Sequence, residues 1–269
     1  MSGAPPSSAG FRLAAILLIV VLVVAGLWWR QRPDATAHFI QLATDSALAR
    51  LAADAEQQAE VFDEAETQVF EESALGAPER DLDHIRFTLD ARLDGTYLAE
   101  LLAARDGWNY RWPERPGEPM RIWVQESPLP GFEHAHLGLV HDAFSAWSDA
   151  GVPLLFTFTP DSARATIRVT WVDRFEERKT GQTHWAHDQH GWIVRGTIEL
   201  ALHQPDGRLL GRDGVRAIAR HEVGHLLGLD HVRDTTHVMA PQVKVTELSE
   251  ADRRTIRLVY ALPPGRITP

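Results

Sequence analysis

Residues 13–29, LAAILLIVVLVVAGLWW, carry no charged side chain. As a helix this run rises about 26 Å, the short end of a bilayer span. Trp28 and Trp29 stand where an interfacial aromatic belt would lie, with Arg30 and Arg32 just beyond. Residues 1–32 are therefore expected to be a retained membrane anchor. A cleaved signal peptide is the alternative. Ala35-Thr36-Ala37 resembles a cleavage site, but it lies far behind the apolar run. Arg12 faces Arg30 and Arg32 across the run, so charge does not choose an orientation. Long following domains translocate largely regardless of nearby charge. The expectation is a single-pass protein of the cytoplasmic membrane with its main domain outside the cytoplasm, or a secreted one if the run is cleaved.

The pattern then takes a helical period. Leu48, Leu51, Ala55, Phe62, Ala65 and Val69 recur at three- and four-residue steps, one step passing through the polar Gln58. This predicts a long helix over 38–75, ended by Gly76-Ala77-Pro78. Alanine and glutamine fill part of its seam, so a solvated stalk is the plain reading, and a homodimer through a coiled coil is the sharper one. More helix follows, with breaks near Asp94-Gly95 and at Asp106-Gly107. Residues 33–106 are read together as an acidic helical stalk.

From 107 to 269 the pattern changes again. RIWVQ at 121–125 is a short β-branched and aromatic run, expected as a strand. Leu137, Val140, Phe144 and Trp147 share one face of a helix over 133–150, stopped by Gly151. TIRVTW at 166–171 and TIELAL at 197–202 alternate as half-buried strands do. Asp213 is expected to cap a helix whose buried face is Val215, Ile218, Ala219, Val223 and Leu226. Strand, helix, strands and helix predict an α/β sandwich.

Charge changes this picture in one place. The formal net charge is −10, and residues 34–75 hold ten Asp/Glu against one Arg, a net of −9. That balance argues against nucleic acid as a partner, because a phosphate backbone needs a basic face. There is no cysteine, which excludes disulfides and thiolate chemistry.

The candidate chemistry sits in HEVGHLLGLDH, residues 221–231. His221 and His225 lie four apart on the same helix and so stack on one face, presenting two imidazoles to one metal ion. Gly228 suits a helix end, because glycine enters left-handed backbone cheaply. The chain can then turn back and bring His231 as a third ligand. Three protein ligands leave a fourth position for water, the arrangement of a catalytic rather than a structural zinc site. Glu222 leaves the helix at another angle and can take a proton from that water and return it to a leaving amine. Five fixed positions at about one in twenty each recur by chance about once in three million windows.

HExxHxxGxxH resembles the signature of the metzincin zinc metallopeptidases, and Leu-Gly-Leu-Asp-His resembles their matrixin branch, the matrix metalloprotease type. Three further stretches are similar. His237-Val238-Met239-Ala240-Pro241 resembles the Met-turn, which implies that Met239 lies beneath the metal. LSEADRRTIRLVY at 248–260 resembles the closing helix, with Ser249 as its N-cap and Asp252 three residues on. The stretch from Phe144-Ser145-Ala146-Trp147 to ATIRVTW resembles the first helix and following strands. The resemblance spans about 107–262. It implies a metzincin-like α/β (α+β) catalytic domain, a twisted mixed sheet with three helices. It also implies a zinc-dependent endopeptidase acting on protein or peptide substrates. The substrate would add as a strand to an edge in or near Thr183-His184-Trp185-Ala186-His187. Val232 stands where serine often follows the third histidine, and Ala240 and Val243 stand where tyrosines often follow the methionine, so the specificity pocket is not legible. The absent cysteine excludes latency through a prodomain thiol.

His184, His187, Asp188 and His190 cluster within seven residues, but their spacing does not match the family's second zinc, and no acidic loop has an ordered calcium pattern. A second zinc or a calcium ion is compatible with the family and unsupported by the residues. Two other classes of function compete with the peptidase. One is a non-catalytic metal-binding adhesion or scaffold module, against which Glu222 speaks. The other is a coiled-coil interaction protein acting through the stalk.

Overall fold

The computed structural model describes residues 75–78 and 81–267, all within the compact unit Ala65–Pro269. The expected anchor at 1–32 and nearly all of the long helix expected over 38–75 lie outside the described residues. Among those described, no helix is long and apolar enough to cross a membrane.

The elements run α1 (Leu82–Arg92), α2 (Leu98–Ala104), β1 (Trp108–Asn109), β2 (Met120–Val124), α3 (Ala135–Asp149), β3 (Phe156–Phe158), β4 (Ile167–Val172), β5 (Gly181–His187), β6 (Ile193–Ala201), α4 (Arg212–Leu226), α5 (Glu250–Ala261) and β7 (Gly265–Arg266). One sheet has the order β3-β2-β4-β6-β5, and β1 pairs with β7 in a separate ribbon. The first four strands of the large sheet run parallel, whereas β5 pairs antiparallel with β6 and, among the described residues, has no strand on its other edge. The expected mixed sheet is present.

Alternation explains the central strands. In β4, Ile167, Val169 and Trp171 point into the core while Arg168 and Thr170 do not. Helix α3 buries Leu139, Val140, Ala143, Phe144 and Trp147, close to the face the periodicity predicts, and ends where Gly151 takes a φ of +98°. Trp147 then donates from its indole to the carbonyl of Arg220 at 2.8 Å, tying α3 to α4. Ser249 and Asp252 form the expected capping box of α5.

Two expectations change. Helix α4 begins at Arg212 with Gly211 as its N-cap, not at Asp213. The backbone of Leu210 is bonded to the Leu202 carbonyl just after β6, so the chain is released into the helix at once. Asp213 instead occupies the first turn, where its charge favours the helix dipole, and pairs with Arg216. The second change concerns the helices. Besides α3, α4 and α5, two short helices precede the sheet, in the region read as stalk. Leu98, Leu101 and Leu102 of α2 are buried, the Tyr97 hydroxyl donates to Asp252, and the Tyr97 backbone N–H donates to Thr255. Tyr97 and α2 thus pack against α5.

Candidate metal centre and its proton-handling carboxylate

Helix α4 and the turn after it position three imidazoles. His221 and His225 project from the same face, one helical turn apart. The helix ends in a Schellman arrangement: Gly228 N–H donates to the His225 carbonyl and Leu229 N–H to the Gly224 carbonyl. Gly228 has a φ of +100°, and a Cβ there would lie 2.1 Å from the Tyr110 carbonyl oxygen. Only glycine satisfies both conditions, and the turn it permits sends His231 back towards the helix. The three Nε2 atoms then lie 3.0, 3.2 and 3.3 Å from one another.

The donor set fits a tetrahedral cation. Zinc–imidazole bonds of about 2.0–2.1 Å place neighbouring nitrogens about 3.3–3.4 Å apart. The Nδ1 of His221 lies 2.7 Å from the Val238 carbonyl and that of His225 lies 3.1 Å from the Leu229 carbonyl. A carbonyl only accepts, so each Nδ1 carries the proton and each Nε2 keeps its lone pair for the metal. Burial lowers the His221 pKa to about 4, aided by the charge of His231, and burial likewise pushes His225 well below the usual range. Both are neutral at pH 7, the form that binds a cation. Among the described residues this triad is the one group of three or more such side chains with converging ligand atoms. His184, His187, Asp188 and His190 do not form a second.

Met239 is fully buried, and its sulfur packs so close to Gly224 of α4 that a Cβ at that position would overlap it. The Val232 N–H donates to the Met239 carbonyl at 3.0 Å, joining the turn after His231 to this segment.

Glu222 is 5% exposed and lies against the first residues of β5. Its Oε2 is 2.6 Å from the Thr183 hydroxyl. A Cβ at Gly181 would come within 2.4 Å of Oε1, so the glycine leaves room for the carboxyl group. Burial raises the Glu222 pKa to about 7, against the lowering effects of the Thr183 hydrogen bond and the Lys179 charge. Reading the sequence alone missed the roles of Thr183 and Gly181, because their partner lies some forty positions away on another element.

The sign of this shift gives a test. In the metal-free protein the folded state holds the Glu222 proton up to about pH 7, whereas the unfolded chain releases it near 4.5. The resulting stabilisation is complete below 4.5 and is lost as pH rises to 7, a change of at most about 3 kcal/mol. Metal-free Glu222→Gln lacks this dependence. Its denaturant midpoint should therefore gain on wild type between pH 5 and pH 8. Parallel pH curves for the two proteins would refute the raised pKa.

Comparison with known proteins places the domain beside a known family. Residues 128–261 match the family model described as matrixin. A curated relative, Metalloendoproteinase 1 of Glycine max, is 23% identical over 159 residues, covering 51% of this chain and 50% of that protein. The chain thus spans about half the length of the curated relative it matches. The matched region contains α3, the five-stranded sheet beyond β2, the triad and α5. Residues 128–261 of this chain form a matrixin-like catalytic domain.

Proposed function

We propose that the domain is a zinc-dependent endopeptidase that cleaves protein or peptide substrates, with His221, His225 and His231 as metal ligands and Glu222 as general base and acid. The observation that carries this reading is the convergence of three Nε2 atoms within 3.3 Å, with the buried carboxyl group of Glu222 on the same helix as two of them. Zinc at the triad would supply Lewis-acid polarisation of the scissile carbonyl and lower the proton affinity of a water at the open position.

The chain's own residues do the rest. The open edge of β5 offers backbone donors and acceptors to an extended peptide, which positions one peptide bond along the strand. Glu222 accepts a proton from the attacking water and passes it to the departing amine. Thr183 holds Oε2 and so orients the carboxyl group. Incubating the full chain with varied unfolded proteins, and mapping new termini by mass spectrometry, tests the proposal. Internal cuts that a chelator abolishes are expected. Zinc uptake with no cuts in any substrate would leave a binding module instead.

A further inference from the structure

We infer that Arg105, which precedes the sheet and belongs to none of the motifs, is a positioning residue for the metal site. The inference rests on the proposed metal-binding role of the triad. Arg105 caps the end of α2, whose Leu98, Leu101 and Leu102 are buried in the core. Its guanidinium reaches across to the turn that carries the third ligand and spends its fork on three consecutive residues. Nε donates to Asp230 Oδ2 at 3.1 Å, Nη1 to the Gly228 carbonyl at 2.9 Å and Nη2 to the Leu229 carbonyl at 3.0 Å. The arginine side chain is only 12% exposed, and it lies over the rings of Tyr110 and Trp185 at 5.7 and 5.6 Å.

Two of these acceptors lead directly to metal ligands. The Leu229 carbonyl also receives the Nδ1 proton of His225. The Asp230 carboxylate accepts the His231 N–H through its other oxygen, Oδ1, at 2.7 Å. One guanidinium therefore braces His225 through a carbonyl and His231 through a carboxylate. His231 is the exposed member of the triad and sits outside the helix, so nothing in α4 itself sets its place. A planar fork with five N–H groups can hold three acceptors in a fixed relation, which an ammonium cannot.

A merely structural brace would alter stability and leave the metal affinity of the folded protein unchanged. A positioning residue alters the affinity itself. In the full chain, Arg105→Ala should weaken zinc binding about 10- to 100-fold, the usual effect of removing a group that orients a ligand. This would be measured by competition with a chromophoric chelator on protein shown to be folded by circular dichroism. Arg105→Lys keeps the charge and can reach Asp230 but not all three acceptors, so its affinity should fall in between. The visible absorption of the cobalt-substituted protein should shift in the same order. Unchanged zinc affinity and cobalt spectrum in folded Arg105→Ala would overturn the inference. If that variant does not fold, Arg105→Lys decides, and wild-type affinity in it would have the same consequence. A wild-type chain that takes up no zinc would defeat the metal-site reading itself, an outcome distinct from a wild type and variant that bind equally well.

Discussion

Glu222→Gln should keep its metal and lose turnover by a factor of about 10² to 10⁴, the usual contribution of a positioned acid and base. Glutamine matches the shape of the carboxyl group and can still receive the Thr183 hydroxyl, whose oxygen is 2.6 Å from Oε2 in the wild type. The pocket left by Gly181 accommodates it equally well. None of the three imidazoles is touched, so zinc content should stay near one per chain. What disappears is a group able to accept a proton. The loss should therefore fall on kcat rather than on KM. Peptide cleavage and elemental analysis on the same preparation check both halves. A glutamine variant with wild-type turnover would remove Glu222 from the chemistry.

His225→Ala should behave differently, with metal and activity lost together. His225 Nε2 closes the triangle of ligand atoms, 3.0 Å from that of His221 and 3.2 Å from that of His231. If a zinc site's binding free energy of about 10–16 kcal/mol is shared among its ligands, deleting one weakens the affinity by a factor of order 10² to 10³ or more. Two imidazoles remain, and two protein ligands hold a zinc ion weakly. The helix itself should survive, because its apolar face is carried by Val215, Ile218, Ala219, Val223 and Leu226. Circular dichroism close to wild type, with zinc absent after dialysis, is the expected result. Stoichiometric zinc in His225→Ala would mean that the triad is not the binding site.

The triad and its helix were legible because both follow from short-range rules. Ligands four apart share a helical face, and a glycine three residues on can reverse the chain. The faces of α3 and α5, and the cap at Ser249, depend on the same kind of local pattern. What escaped the sequence depends on distant partners or on weak local signals. Strand β3 is three residues long, too short for alternation to register. Strand β6 starts at Ile193, ahead of the expected 197, because Arg195 and Gly196 interrupt its apolar pattern, although the ladder to β5 continues through them. Leu98, Leu101 and Leu102 have the spacing of any amphipathic helix. Nothing within the segment says that they pack on the catalytic domain rather than line a stalk. The bonds that reveal it, Tyr97 to Asp252 and Arg105 to Asp230, span more than a hundred residues each.

A zinc titration of metal-free full-length protein, with cleavage of a quenched peptide followed at each addition, tests the account most directly. The expected result is no cleavage at the start, a rise in proportion to added zinc, and a plateau at one zinc per chain. The same titration on Glu222→Gln should show equal zinc uptake and almost no cleavage. Cleavage by the metal-free wild type, or a wild type that binds no zinc, would contradict it.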